Sequence, residues 1–174
     1  MEQFIPINNF ENYEISNYGK VRNSTTGRIL ADRINSSGYK SVILSLGGYT
    51  QSFLVHRLVG LYHIPNPLYN KIIDHIDNDQ LNNNINNLRW TTIAQNLQNA
   101  KLSRRNKSGV KGVTFHTPSQ KWIATICQNS KLKHIGVYET IEKASEARYK
   151  MALELFGKYM NICEKPINIE VEYV

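Results

Sequence analysis

The chain has 174 residues, is 41% hydrophobic and 20% charged, and carries a net charge of +7; no apolar run approaches the roughly 18 residues of a membrane span. The N-terminal MEQFIPINNF has neither the basic start nor the apolar stretch of a leader, so a soluble, intracellular protein of one medium domain or two to three small modules is expected. The two cysteines, Cys127 and Cys163, have no CxxC spacing, which excludes a four-ligand zinc site and leaves ordinary free thiols.

Charge is uneven along the chain. Residues 101–163 carry twelve Lys and Arg against four Asp and Glu, whereas residues 1–100 are almost balanced. A basic excess on one segment is either a solvated basic face, which is common, or the footprint of a phosphate-backbone binder. Asparagine is abundant, at 20 residues, so no single Asn carries weight by its type alone.

From the N-terminus, residues 4–59 read as short strands with turns between them. Tyr13 to Ser16, Lys20 to Arg22 and Tyr39 to Leu46 are bounded by Gly- and Asn-rich stretches, and Gly47-Gly48 marks a hairpin into Tyr49 to Val55. The period then changes in Phe53 to Tyr62, FLVHRLVGLY. Leu54, Leu58 and Leu61, joined by Val55, give a short amphipathic helix that Pro65 and Pro67 stop, with His56 and Arg57 on its exposed or half-exposed side.

Lys71 to His75 is a brief apolar strand ending in Asp74-His75. The run Ile76 to Asn87 is too rich in Asn for regular structure, Leu88 to Thr91 is a second strand, and Thr92-x-x-Gln95 opens a helix towards Leu102. In this order of strand, polar loop, strand and helix, three polar residues are expected to converge if the strand end allows it: Asp74, His75 and an Asn in the first turn of the helix. A carboxylate and an amide oxygen are hard ligands suited to Mg²⁺, and a neutral imidazole takes a proton from water near neutral pH. Phosphodiester hydrolysis needs both parts. Neighbouring residues of a regular strand face opposite ways, however, so Asp74 and His75 share a site only if the strand ends there; otherwise they cap the loop.

After the basic stretch Lys101 to Gly109, three strands are expected at Lys111 to His116, Trp122 to Gln128 and Lys133 to Tyr138, with turns at Thr117 to Gln120 and Asn129 to Lys131. Val113, Phe115, Trp122, Ala124, Ile126, Ile135 and Val137 alternate as a buried face. A helix from Ile141 to Phe156 covers it with Ile141, Ala144, Ala147, Met151 and Leu155, between Thr140 as N-cap and Gly157. The opposite face carries Thr114, His116, Thr125, Cys127 and His134, flanked by Lys111, Lys121, Lys131 and Lys133. Such a face is either simply solvated or suited to enter a major groove, its polar residues reading base edges while the lysines hold phosphates.

Three stretches also resemble known families. FIPINNFENYEISNYGKVRN, with the core Tyr13 to Asn17 and Gly19 to Val21, resembles the NUMOD4-like module that precedes the catalytic core of phage-type HNH homing endonucleases. Asp74 to Asp79, Leu81 to Asn83, Asn86 to Trp90 and Asn96 resemble the HNH, or ββα-metal, nuclease signature in the variant that ends in Asn, with His56 to Val59 and Ile64 to Pro67 matching its lead-in. That resemblance implies His75 as general base, Asp74 and Asn96 as metal ligands, and Asn87 as the residue that braces the loop and orients His75; Asn99 competes with Asn96 for the second ligand. It departs from the signature at Asn78, where Gly is usual, and Asn tolerates the left-handed turn. Ser108 to Val113, Lys121 to Ile126, His134 to Tyr138 and Thr140 to Ala147 resemble the AP2 DNA-binding domain, without most of the strand arginines of the plant transcription factors.

The expected fold is α+β in three parts: an antiparallel module (1–52) in contact with DNA, an HNH core (53–100) and, after a linker (101–109), an AP2-like three-stranded sheet packed on one helix (110–163), with a tail (164–174). The expected function is site-specific, Mg²⁺-dependent DNA cleavage, Mn²⁺ substituting, by a monomer acting on double-stranded DNA with an extended target. No membrane or small-molecule substrate is expected, and the source is a phage, a virus or an intron. Arg104, Arg105, Lys107, Lys111, Thr114, His116, Lys121, Thr125, Lys131, Lys133 and His134 are the expected DNA contacts. Two rivals are a DNA-binding regulator with an inactive nuclease centre and a structural or RNA-binding protein.

Overall fold

A computed structural model describes residues 1–129 and 131–161. Cys163, Ser130 of the expected turn and the tail 164–174 lie outside the described residues. The chain divides into two compact units, Met1–Ile93 and Ala94–Val174, and the α+β class is as expected.

In the first unit, β1 (Phe4–Ile7), β2 (Phe10–Ser16) and β3 (Val21–Asn23) form one antiparallel sheet, and β4 (Arg33–Ile34), β5 (Lys40–Leu46) and β6 (Tyr49–Leu54) form another. Gly47 and Gly48 supply the two positive φ angles, 58° and 83°, that a tight hairpin between β5 and β6 requires. Helix α1 (Val55–His63) follows directly, because Phe53 and Leu54 are still paired to Val42 and Ser41 in the sheet. The strand thus claims two residues that helical periodicity had assigned to the helix.

The buried face of α1 also differs from expectation. Val55, Leu58 and Val59 enter the core as their 3.6-residue spacing demands, but Leu61 is 67% exposed and His56 is buried. The helix faces a polar centre as well as an apolar one, so the stripe is broader than its leucines indicate. Gly60 permits the approach: a Cβ there would sit 1.8 Å from the Ile73 Cδ1 atom and 3.3 Å from the Trp90 ring. A mid-helix glycine costs roughly 1 kcal/mol relative to alanine, and here it lets α1 lie against the hairpin of β7 (Ile72–His75) and β8 (Leu88–Thr91). The Trp90 indole N–H, donating to the Ile64 carbonyl at 3.0 Å, ties that hairpin to the end of α1.

One core serves the whole unit. Ile7, Phe10, Ile15, Val21, Val42 and Leu44 from the first 52 residues pack in a single cluster with Val55, Leu58, Val59, Ile73 and Leu88.

Helix α2 (Ile93–Asn99) starts at the end of the first unit and stops three residues short of Leu102. In the second unit β9 (Val113–His116), β10 (Lys121–Gln128) and β11 (Lys131–Tyr138) make an antiparallel sheet in the order β11-β10-β9, packed on α3 (Ile141–Phe156). Thr140 caps α3 by accepting from the Lys143 amide, and Gly157 follows its end with φ 49°.

The alternation in β11 is interrupted. Trp122, Ile123 and Ala124 face Tyr138, Val137 and Gly136, but Thr125 faces His134, so Ile135 is an extra, bulged residue. Tyr138 and the bulged Ile135 pack in the core, while Val137 turns to the outer face and is exposed. Phe115 is exposed as well. The buried stripe of α3 runs through Ala144, Arg148, Ala152 and Phe156, so one of the basic residues that swell the segment's charge is itself internal.

Candidate active site and nucleic-acid interface

The β7–β8 register sets the first element of the site. Asp74 lies opposite Arg89, and His75 opposite Leu88. Both Asp74 and His75 are only 6% exposed. Arg89 donates through Nε at 2.9 Å and Nη2 at 2.7 Å to Asp74 Oδ2, supplying the opposite charge that a buried carboxylate needs. The strand ends at His75, but both residues are still paired in the ladder, so its end does not by itself relieve their alternation.

The loop beyond His75 is built from amides. Asn78 has φ 60° and its N–H donates to the His75 carbonyl at 3.0 Å, so asparagine does hold the left-handed position usual for glycine. Asn87 acts as a brace. Its Nδ2 donates to Asp77 Oδ1 and to the Asn82 carbonyl, both at 2.8 Å, while its Oδ1 accepts from the Asp77 N–H at 3.1 Å and its carbonyl from the Ile76 N–H at 2.8 Å. Burial alone would raise the Asp77 pKa, but hydrogen bonds from the Asp79 N–H, Asn82 and Asn87, with the charge of His75, hold it below the ordinary carboxylate value.

The His75 imidazole has a different set of neighbours. Its Nε2 is 3.0 Å from Asn83 Oδ1, and its ring centroid lies 5.2 Å from His56 and 6.0 Å from Tyr39. Asn83 Nδ2 lies 3.5 Å from the Leu81 carbonyl, a long contact consistent with the amide oxygen being turned towards the ring. Tyr39 and His56 also pack on each other, 4.9 Å between centroids. Burial, with His75 and Arg57 adding in the same direction, pushes the His56 pKa down from 6.5 to about 4. His56 is therefore a neutral ring at physiological pH, and its buried Nδ1 makes no hydrogen bond among the described residues.

Of the four residues singled out in the sequence for this centre, Asp74, His75 and Asn87 all lie in the first unit, each with its own set of partners. Asn96 lies on α2, in the part of it that belongs to the second unit, and is half-buried; its competitor Asn99 is buried at the end of the same helix, its carbonyl accepting from Asn161 Nδ2 at 2.8 Å. Arg89, Asn83, His56 and Tyr39 had no assigned role in the sequence reading. A signal for Arg89 did exist, since opposite charges facing each other across a short hairpin form a standard cross-strand pair. Asn83 was hidden among like residues, and nothing in the sequence indicates that Tyr39 reaches a histidine.

In the second unit the outer face of the sheet carries Thr114, His116, Ile123, Thr125, Cys127, Leu132, His134 and Val137, by register. It is more apolar than expected. Thr114, His116, Lys131, Lys133 and His134 are exposed, as are Arg104, Arg105 and Lys107 on the preceding segment. Other candidates have local partners. Lys111 Nζ donates to the Gln98 and Ala100 carbonyls at 2.8 and 3.0 Å, Thr125 Oγ1 to the Gly112 carbonyl at 3.2 Å, and Lys121 pairs with Glu139 at 2.8 Å. A pocket of about 470 Å³ beside the tilted Phe115–Trp122 pair is rimmed by Arg105 and Lys107. The stretch before it is a held turn: Ser108 Oγ donates to the Val113 carbonyl at 2.6 Å, and Asn106 accepts from the Gly109 N–H at 2.8 Å.

The NUMOD4 motif matches residues 2–45, and the HNH endonuclease family matches residues 53–98. An uncharacterised HNH endonuclease, L245, of Acanthamoeba polyphaga mimivirus is 43% identical over 91 residues, covering 52% of this chain and 27% of that protein. DNA endonuclease I-HmuI of Bacillus phage SP01 is 36% identical over 87 residues, half of each chain. The chain thus spans from about a quarter to half the length of these relatives. A solved structure describing DNA binding and cleavage by the HNH homing endonuclease I-HmuI superposes with a TM-score of 0.53 and 27% identity, covering 90% of this chain and 91% of that one. The site built on the Asp74-His75 strand end lies inside the matched 53–98 segment, and the chain carries an HNH endonuclease domain behind a NUMOD4 motif, with phage HNH endonucleases among its homologues.

Proposed function

We propose that the chain is a site-specific DNA endonuclease that hydrolyses one phosphodiester bond with a divalent metal and His75 as general base. The observation that carries this reading is the buried strand end, where a carboxylate and an imidazole are adjacent in sequence and each is held by its own partner, Arg89 for Asp74 and Asn83 for His75.

HNH nucleases depend on a divalent metal. The donor set suits a hard cation: the Asp74 carboxylate and the Asn96 amide oxygen are oxygen ligands of the kind Mg²⁺ accepts, with Mn²⁺ expected to substitute. When bound, such a cation offsets the charge that builds on phosphate and on the departing 3′ oxygen. Of the two amides considered for the second ligand, the half-buried Asn96 is the better suited, since Asn99 is enclosed. His75 takes the proton of the attacking water, and Asn87 keeps the loop behind it in one conformation. Arg89 keeps the Asp74 carboxylate paired inside the fold.

The partner is double-stranded DNA. In the second unit the AP2-like reading has Thr114, His116 and His134 facing base edges, the apolar Leu132 and Val137 suiting thymine methyl groups, and Lys131, Lys133, Arg104, Arg105 and Lys107 holding phosphates. Lys111, Lys121 and Thr125 support the sheet and its approach more than they contact DNA, because each already has a partner in the fold. The protein acts as a monomer, and with one such centre per chain it nicks one strand per visit.

Cleavage of a duplex containing the flanking genomic sequence, with Mg²⁺ or Mn²⁺, tests this. The wild type is expected to cut at one position and His75→Ala to bind without cutting. Equal binding with no cleavage by either protein supports the regulator reading instead, and a preference for RNA over duplex DNA removes both.

A further inference from the structure

We infer that Asn83 is the positioning residue that sets which nitrogen of His75 receives the proton, and that the turn Asn17-Tyr18-Gly19 of the N-terminal segment holds Asn83 in place. The inference rests on His75 being the base.

An amide oxygen has no hydrogen to give. The 3.0 Å contact between Asn83 Oδ1 and His75 Nε2 therefore requires the proton on Nε2, and a neutral ring with its proton there carries its lone pair on Nδ1. When Nδ1 takes a proton from water, the O–H bond breaks, hydroxide is left to attack phosphorus, and the ring becomes an imidazolium with both nitrogens protonated. The Nε2–H···Oδ1 bond is then charge-assisted and stronger than before. Asn83 thus aims the ring and fixes its tautomer through one contact.

Asn83 is itself clamped. It is 4% exposed, and the backbone of Gly19 lies so close that a Cβ there would meet Asn83 Cβ at 2.8 Å and its carbonyl oxygen at 3.3 Å. Gly19 has φ 80°, a geometry unfavourable to other residues. Two residues further on, the Ile85 N–H donates to the Asn17 carbonyl at 2.8 Å. The turn is held in its own right: Ser16 Oγ accepts from the Tyr18 and Lys20 amides, and Asn17 bonds in both directions to Gln3, the residue before β1. A segment expected only to contact DNA is thereby tied to the base, and one side-chain contact separates the turn from the imidazole.

The test uses the full chain. Long-range ¹H–¹⁵N spectra of the His75 ring, recorded without metal or DNA, report the tautomer, and cleavage kinetics separate kcat from KM. In the wild type the ring is expected as the Nε2–H form. Asn83→Leu should convert it to a mixture and lower kcat about tenfold or more with KM little changed, whereas Asn83→Asp, which keeps an acceptor oxygen, should retain the tautomer. Gly19→Ala, two contacts from the ring, should also lower kcat and leave KM alone, and it serves if the leucine variant fails to fold. An unchanged tautomer in Asn83→Leu overturns the inference, as does a Gly19→Ala protein whose KM rises at constant kcat. A shifted tautomer in Asn83→Leu alongside full cleavage by His75→Ala leaves the positioning intact and overturns the base assignment instead.

Discussion

His56 offers a sharp test of how the centre is packed. Its ring is enclosed between Tyr39 and His75, and its pKa is pushed down from 6.5 to about 4 by burial, with His75 and Arg57 contributing. Because the folded value lies below the unfolded one, the unfolded chain binds the extra proton at any pH between the two. The stability that the neutral ring represents is complete above about pH 6.5 and is lost as pH falls towards 4. At about 1.4 kcal/mol per pH unit, the loss amounts to about 3 kcal/mol at pH 4. His56→Phe keeps a ring in the stack and removes the titration. In a Trp122→Phe background, Trp90 is the one tryptophan left and reports the first unit alone, so urea unfolding followed by its fluorescence gives that unit's stability. The gap between the His56→Phe protein and its parent should widen in favour of the variant by about 3 kcal/mol from pH 7 to pH 4. Carboxylates such as Asp77 titrate in both and cancel. Parallel curves over that range would falsify the claim that His56 is held neutral.

Other outcomes follow from single contacts. Arg89→Met leaves the Asp74 carboxylate buried without its guanidinium and should cost about 3–5 kcal/mol in urea unfolding; Asp74→Asn in the same chain should restore much of it without restoring cleavage. Asn87→Ala removes three side-chain hydrogen bonds, about 3 kcal/mol at roughly 1 kcal/mol each, and hydrogen exchange at Asp77 should accelerate accordingly. Lys133→Ala should weaken binding to every duplex and flatten its salt dependence, whereas His134→Ala should relax sequence choice, as read by competition gel shifts on variant targets. Lys111→Ala should lower the stability of the second unit more than its DNA affinity, since its ammonium is held by the Gln98 and Ala100 carbonyls.

What the sequence made legible was whatever repeats with a period or obeys a local rule. The Gly47-Gly48 hairpin, the β7–loop–β8 order, the left-handed Asn78, the Thr140 cap and the sheet-on-helix arrangement of the second unit all follow from such rules. The misses arise where distant residues decide. His56 is buried, against its helical neighbours' pattern, because it meets Tyr39 and His75 from other elements. Val137 is exposed because a single bulged residue, Ile135, reverses the alternation beyond it. Lys111 had the charge of a phosphate contact, yet its ammonium sits on helix-end carbonyls that no spacing rule foretells. Among the proposed site residues, Asp74, His75 and Asn87 were given roles by their resemblance to a signature, while Asn83 lay inside the same signature without a role until its distance to the ring singled it out.

The single apolar cluster of the first unit bears on how such a protein can be taken apart. Ile15 and Val21 on one side, and Val55 and Val59 on the other, come from stretches that two separate motifs recognise, yet they fill the same interior. Shuffling one motif onto a new catalytic partner would leave half of that interior facing water. Any lineage that exchanged them had to exchange the matching core positions too, so residues 1–93 are best regarded as one heritable cassette whose internal seam is visible in the text of the gene and absent from the folded object.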